Sequence, residues 1–142
     1  MKKTRCFITI LLLSALVFSV QGSVIKVLAV GNSFSENAIE QNLYQLAETN
    51  GDTLIIGNMF IPGCTINRHW KCAQSEEAAY QYRKVVNGKK VNTSDKSMLE
   101  CVRDEAWDYI SFQQGSYDSG NYATYTNLPL LMKFVAENVI NT

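Results

Sequence analysis

The sequence has 142 residues, of which 46% are hydrophobic, and its 13 basic and 13 acidic side chains leave no formal net charge. This balance excludes the strongly basic surface that binds phosphate backbones, so we expect no nucleic acid partner. The single histidine is His69, and the 4 cysteines include no C-x-x-C pair. We therefore expect no metal site and no other cofactor.

Residues 1–22 have the pattern of a secretory signal peptide. Lys2, Lys3 and Arg5 precede an apolar run over residues 7–20, which is shorter than the roughly 20 residues of a membrane-spanning helix. Small residues follow the run, and we place cleavage after Gly22. The prediction is an exported protein (periplasmic, cell-surface or secreted) with no membrane contact after cleavage; the alternative is a membrane anchor. Residues 23–142 then suffice for one domain.

The mature chain begins with a strand, a turn and a helix. Residues 24–30 are apolar and rich in β-branched side chains, which predicts a buried strand, and a Gly-Asn-Ser turn follows at residues 31–33. Ile39 and Leu43 belong to an apolar stripe that predicts a helix over residues 36–50. Ser33 has two interpretations: it caps this helix in a capping box with Glu36, or it presents a reactive hydroxyl at the sheet edge.

A second strand is predicted over residues 53–60, followed by a turn containing Pro62 and Gly63. Two strands joined by a helix form a βαβ unit with parallel strands. Residues 67–82 are partly helical in pattern, and Asn87-Gly88 predicts a two-residue hairpin. Lysines around this hairpin suggest an exposed excursion on the surface.

The last third of the chain predicts a helix, a strand and another helix. A short helix is expected over residues 95–105, and a third strand over residues 106–113, of which 109–112 are the surest part. The strand ends in a polar turn at residues 113–115. A loop rich in Tyr, Ser and Gly then leads to a helix over residues 128–140.

Each of the three predicted strands is followed directly by a polar, glycine-bearing turn. The carboxyl ends of parallel strands meet at one edge of a sheet, which is where such folds bind ligands. Ser33 would bring a hydroxyl, Gly63 an unobstructed backbone N–H, and Gln113 and Gln114 carboxamide donors. Enzymes that catalyse acyl transfer combine a nucleophile with hydrogen-bond donors that face the oxyanion. Ordinary loops also contain such residues.

The motifs G-N-S-F-S, I-G-N-M-F-I-P-G-C-T-I-N-R-H-W and W-D-Y-I-S-F-Q-Q-G-S occur in this order between Val24 and Ser119. They resemble the SGNH, or GDSL-type, hydrolases, and more closely the DUF4886 group within them. The resemblance implies a flavodoxin-like, three-layer α/β/α sandwich with a parallel sheet. We expect three core strands plus the small hairpin excursion, with the sandwich incomplete at the C-terminus.

The resemblance also assigns roles. Ser33 would be the nucleophile, and its own N–H and that of Gly63 would form the oxyanion hole together with Gln113 or Gln114, which stand where the superfamily usually has Asn. Asn32 stands where an Asp is common. Asn32 and the side chains of His69 and Trp70 are candidates for substrate binding.

The SGNH pattern ends in a block containing Asp-x-x-His, which this sequence lacks. We therefore expect residues 23–142 to be the N-terminal part of such a domain, inactive alone because a serine without a base is a weak nucleophile. A role for His69 as the base is an alternative.

The predicted function is an exported SGNH-type serine ester hydrolase that removes acetyl groups from carbohydrate. Its substrate would be a small-molecule or glycan ester. The alternative is a non-catalytic glycan-binding module of the same fold, using Trp70 and the tyrosines 117, 122 and 125. The sequence leaves open the oligomeric state and the disulfide pairing, for which Cys64 and Cys72 are the closer pair.

Overall fold

The computed structural model describes residues 23–140, so the predicted signal peptide lies outside the described residues. The chain forms a mixed α/β structure with one five-stranded sheet. Its strands are β1 (Val24–Gly31), β2 (Thr53–Phe60), β3 (Tyr80–Val86), β4 (Lys89–Lys96) and β5 (Tyr109–Phe112). Its α-helices are α1 (Ser33–Ser35), α2 (Leu43–Thr49), α3 (Ile66–Ser75), α4 (Met98–Val102) and α5 (Leu128–Asn138).

The strands lie in the order β4-β3-β2-β1-β5. β1 is parallel to both β2 and β5, as the sequence predicted for the three apolar strands. The carboxyl ends of these strands, at Gly31, Phe60 and Phe112, therefore lie at the same edge of the sheet. The prediction of a parallel sheet holds for these three core strands, but the sheet as a whole is mixed, because β3 and β4 join it antiparallel.

The Asn-Gly hairpin is confirmed, but its interpretation as a surface excursion is wrong. Asn87 and Gly88 both have positive φ, 49° and 70°, as the tight turn between twisted strands requires. β3 continues the sheet by pairing with β2, from Phe60 opposite Gln81 to Ile55 opposite Val86. It does so because Tyr82 and Val85 bury apolar side chains on opposite faces of the sheet.

Two predicted helices differ from those observed. The helix expected over residues 36–50 is interrupted: a π-helical segment at Glu36–Glu40 separates α1 from α2, and the side chain of Glu40 is buried. Leu46, expected in the buried stripe, is 65% exposed. The helix-favouring residues 76–79 lie beyond α3, which ends at Glu76 in a left-handed conformation.

Helices pack on both faces of the sheet. On one face, α3, α4 and α5 contribute Ile66, Met98 and Leu131 to a core that includes Leu28 and Met59 of the central strands. On the other face, Leu43 of α2 packs against a smaller cluster, which consists of Leu54, Ile56 and Val85. No helix within residues 23–140 combines the length and apolarity needed to cross a membrane.

Candidate functional site

The turn after β1 leads directly into α1. Ser33 is the first residue of this helix, and Asn32 is its N-cap. The side-chain oxygen of Asn32 accepts a hydrogen bond from the N–H of Phe34 (3.0 Å). Ser33 therefore does not cap the helix, and the capping-box interpretation is wrong. Ser33 is exposed, and its hydroxyl has no hydrogen-bond partner among residues 23–140. This leaves the hydroxyl free to approach a ligand.

The loop after β2 is a tight turn built on Pro62 and Gly63. The N–H of Cys64 donates to the carbonyl oxygen of Ile61 (3.2 Å), and Gly63 has φ 61°. A proline followed by a residue with positive φ is typical of a type II turn. An added Cβ at Gly63 would meet no atom within 4 Å, so the backbone conformation, rather than crowding, accounts for this glycine. The open side leaves room for a ligand beside the backbone of Gly63.

The loop after β5 separates the two glutamines. Gln114 is 6% exposed. Its side-chain oxygen accepts from the N–H groups of Ile66 (2.9 Å) and Gly115 (3.0 Å), and its amide donates to the hydroxyl of Thr124 (3.0 Å). Gln113 is half-buried and lines the cleft described below. Both glutamines line that cleft, but the carboxamide of Gln114 is held by hydrogen bonds to the backbone and to Thr124, and Gln113 is the more exposed of the two.

One side chain joins the three loops. The amide of Asn32 donates to the carbonyl oxygen of Cys64 (3.0 Å) and to that of Gln114 (3.1 Å). The second and third loops also touch directly, since a Cβ at Gly115 would lie 3.1 Å from the carbonyl oxygen of Gly63. The structure therefore brings together the three loops that the sequence placed at one edge.

A cleft of about 380 Å³ opens at this edge, and we call it the rim cleft. Phe34, the residue after Ser33, forms one wall and is 48% exposed. The cleft is lined by Phe34, Phe112, Gln113, Gln114, Ser119 and Tyr125. Its volume is at the lower end of the range of small-molecule sites, about 300–1,000 Å³.

Beneath the first loop lies a buried polar network that the sequence analysis missed. The hydroxyl oxygen of Ser35 lies 2.7 Å from the carbonyl oxygen of Asn32 and 2.9 Å from the side-chain oxygen of Asn58, so its single hydrogen is shared between these two acceptors. The amide of Asn58 in turn donates to the carboxylate of Glu40, which is paired with Arg83 (3.5 Å). An asparagine in the middle of the apolar strand β2 was the available signal, because such a residue needs a buried partner.

His69 and Trp70 do not belong to the rim cleft. His69 is fully buried in α3, where its Nδ1 lies 3.0 Å from the hydroxyl of Tyr80 and the two rings are stacked. Burial, and to a smaller extent the charge of Arg68, lowers the pKa of His69 to about 4. Trp70 is half-buried and packs against the main core. Both side chains occupy structural positions.

The cysteines of the described residues are free thiols. Cys64, Cys72 and Cys101 are buried and form no disulfide with one another. Burial raises the pKa of the Cys64 and Cys101 thiols to about 12, and it raises that of Cys72 as well. Buried thiols with a raised pKa are largely protonated at neutral pH and are therefore poor nucleophiles. Residues 23–140 also contain no cluster of three metal-ligating side chains.

Comparison with known proteins gives two matches of different kinds. Residues 26–142 match the family described as "Domain of unknown function (DUF4886)". The fold is similar to that of a solved DUF4886 family protein from Bacteroides uniformis ATCC 8492, with a TM-score of 0.79 and 47% sequence identity. That match covers 82% of this chain and 46% of the relative, so the chain spans less than half the length of the solved protein.

Among curated proteins no match was found. The family match nevertheless extends over most of the chain and includes all three loops of the site. The structural similarity covers most of the chain at high sequence identity. On both grounds, this chain belongs to the DUF4886 family.

Proposed function

We propose that this chain provides the nucleophile half of an exported serine ester hydrolase of the SGNH type, acting on acylated carbohydrate. One observation carries the proposal: the free hydroxyl of Ser33 shares a sheet edge with Gly63 and Gln113, through the hydrogen bonds of Asn32. The packing of helices on both faces of the sheet supports the three-layer, flavodoxin-like arrangement of that superfamily.

The chemistry follows from the groups at this edge. The hydroxyl oxygen of Ser33 attacks the acyl carbonyl carbon and transfers its proton to a base. In this proposal the N–H groups of Ser33 and Gly63, with the carboxamide of Gln113, donate to the oxyanion that forms. Collapse releases the alcohol of the substrate, which takes up the proton. Water then cleaves the acyl-enzyme to give the free acid and restore Ser33.

The base is not supplied by the only histidine of this sequence. His69 is buried against Tyr80, and the cost of burying a charge disfavours its protonation. We therefore expect no Ser33-dependent turnover from the chain alone. In the solved relative, more than half of the chain lies outside the matched region, and we propose that a base resides there.

The test compares this chain with the Bacteroides uniformis relative in the hydrolysis of p-nitrophenyl acetate. The residue of the relative that superposes on Ser33 is identified and, where it is serine, is replaced by alanine; Ser33→Ala is made here. We expect serine-dependent hydrolysis by the relative and none by this chain. A relative without serine-dependent activity would remove the hydrolase proposal. Turnover by this chain that is lost in Ser33→Ala would disprove only its inactivity.

A second candidate is a glycan-binding module without catalysis. It is favoured by one observation, that no imidazole of the described residues lies on the rim cleft. Glycan binding that is unchanged in Ser33→Ala, together with an inactive relative, would support this candidate over the hydrolase. The two functions share the cleft and differ only in the role of the Ser33 hydroxyl.

A further inference from the structure

A second cavity adjoins the rim cleft and shares one aromatic wall with it. This cavity, the tyrosine pocket, has a volume of about 270 Å³ and is lined by Tyr122, Ala123, Tyr125, Thr126, Leu128 and Pro129. Tyr125 lines both cavities. Tyr122 is 91% exposed, so most of its ring is available for contact. The two cavities therefore meet at Tyr125; Ser33 itself lines neither of them, but its neighbour Phe34 lines the rim cleft.

The lining of both cavities is neutral. Among residues 23–140, no Asp, Glu, Lys, Arg or His lines either cavity; the lining is aromatic and aliphatic, with amide and hydroxyl groups between these side chains. A phosphate, carboxylate or ammonium group would find no opposite charge here and would lose hydration on binding. Aromatic faces combined with amide and hydroxyl groups suit a neutral, polyhydroxylated ligand, which has both C–H faces and hydrogen-bonding groups.

The loop that carries these tyrosines is held by its own hydrogen bonds. The hydroxyl oxygen of Thr124 lies 3.0 Å from the carbonyl oxygen of Asp118 and 2.7 Å from that of Asn121, so its single hydrogen is shared between these two acceptors. The hydroxyl of Tyr125 donates to the carbonyl oxygen of Ser119 (3.0 Å), and Gln114 ties Thr124 to the sheet edge. A surface fixed before the ligand arrives loses less conformational entropy on binding.

We propose that the rim cleft and the tyrosine pocket are two consecutive subsites for a neutral oligosaccharide. The sugar nearest Ser33 occupies the rim cleft between Phe34 and Tyr125, and the next sugar stacks in the tyrosine pocket on Tyr122. The placement of the first sugar at Ser33 rests on the proposed function. The substrate of this site is then a chain of at least two neutral sugars rather than a single sugar or a small ester.

The test measures binding, so that it does not depend on turnover. The Ser33→Ala variant is titrated calorimetrically with unesterified xylose, glucose, mannose and galactose, and with their β-linked oligomers of two to four units. For one sugar series we expect the affinity to rise roughly tenfold from one unit to two, the gain expected from one added aromatic contact. Tyr122→Ala should reduce the affinity for the dimer to that for the single sugar.

Two controls distinguish binding in the two subsites from nonspecific binding to exposed tyrosines and from the effects of misfolding. Tyr117 is fully exposed on the same loop but lines neither cavity, so Tyr117→Ala should bind as the parent does. Circular dichroism spectra of Tyr122→Ala and Tyr117→Ala that match the spectrum of the parent exclude misfolding of either variant.

Several results would overturn the two-subsite proposal. These are the absence of binding in every series, equal affinity for one and two units, a length gain that persists in Tyr122→Ala, or binding of galacturonic acid oligomers only. The hydrolase proposal is judged separately by the assay on the relative. If affinity rises with oligosaccharide length but the relative is inactive, the two-subsite proposal is supported and the hydrolase proposal is contradicted.

Discussion

The side-chain amide of Asn32 donates a hydrogen bond to the backbone carbonyl oxygen of Gln114, across the top of the sheet and 82 positions along the chain. The same amide donates to Cys64, and the side-chain oxygen of Asn32 caps α1. With 1% of its surface exposed, Asn32 has its hydrogen-bonding groups matched inside the protein. A buried amide satisfied in this way fixes the relative positions of the three loops, because a shift of any loop would leave a buried hydrogen-bonding group without a partner.

Asn32→Asp should therefore destabilise the protein although it is nearly isosteric and retains the cap. A carboxylate cannot donate, so it would face the carbonyl oxygens of Cys64 and Gln114 without a hydrogen between them. We expect a loss of about 2–4 kcal/mol in the free energy of unfolding. Urea denaturation followed by circular dichroism measures it. A variant as stable as the parent at pH 7 would show that Asn32 does not hold the loops together.

Arg83→Leu tests the buried network beneath the first loop. The Arg83 guanidinium contacts Glu40 (3.5 Å) and Glu36 (2.9 Å), and the Glu40 side chain is only 1% exposed. Removing the arginine leaves that carboxylate with only Lys90 as a cationic partner (3.2 Å). Breaking a buried pair costs several kcal/mol, and we expect about 3 kcal/mol here.

The matched control for Arg83→Leu is the exposed pair of Lys133 and Glu137 on α5 (3.7 Å). Lys133→Ala should change the free energy of unfolding by less than about 0.5 kcal/mol, because water screens such a pair. Similar effects of the two substitutions in the same denaturation assay would contradict the assignment of a special role to the buried network.

Gly57 lies in the middle of β2, where a glycine ordinarily weakens a strand. A Cβ at this position would lie 2.7 Å from Trp107, 2.9 Å from Leu28 and 3.0 Å from the hydroxyl of Tyr82. Gly57→Ala should therefore overpack the main core and cost about 1–3 kcal/mol. Gly120→Ala is the control, since nothing lies within 4 Å of that site. Equal thermal denaturation midpoints for the two variants would show that the core rearranges around the added Cβ at position 57 without losing stability.

The sequence alone was sufficient to predict the three parallel strands at the core of the sheet. Residues 53–60 were predicted as a strand and are one, because a continuous apolar run bounded by turn residues has few other solutions. The placement of the three polar turns at one edge followed from the same reasoning. The pairing of β3 with β2 is not evident from the sequence, since the lysines of the hairpin favour a surface position and outweigh the apolar pattern of Tyr82 and Val85.

The finer features of the site depend on tertiary contacts that spacing does not reveal. Asn32 and Ser33 are adjacent and both favour helix caps, and only the carbonyl groups of distant loops make Asn32 the buried one. Gln113 and Gln114 have identical side chains and both line the cleft, yet the turn after β5 leaves Gln113 half-buried and ties Gln114 to the backbone of α3. The inward position of Glu40 depends on Arg83, which follows it by 43 positions.

The burial of His69 predicts a specific pH dependence of stability. Its pKa is about 4 in the folded protein, against an ordinary value of 6.5. Above about pH 6.5 both states carry the neutral imidazole, and the contribution of the buried ring is complete. Between pH 6.5 and 4 the unfolded chain binds a proton that the folded chain does not, so stability falls as the pH is lowered. The loss attributable to this group is on the order of 3 kcal/mol.

His69→Asn isolates this effect, because its amide can still reach the hydroxyl of Tyr80 but does not titrate in this range. The variant should be less stable than the parent at pH 7, and the difference between the two should shrink steadily towards pH 4. The free energy of unfolding by urea, measured for both proteins at half-unit intervals from pH 7.5 to 4, gives that difference directly. Carboxylates such as Glu100, whose pKa is lowered to about 2 mainly by the hydrogen bond from Lys96, contribute equally to both proteins and cancel. A difference that stays constant with pH would mean that the imidazole of His69 gains access to water and is protonated as easily in the folded state as in the unfolded one.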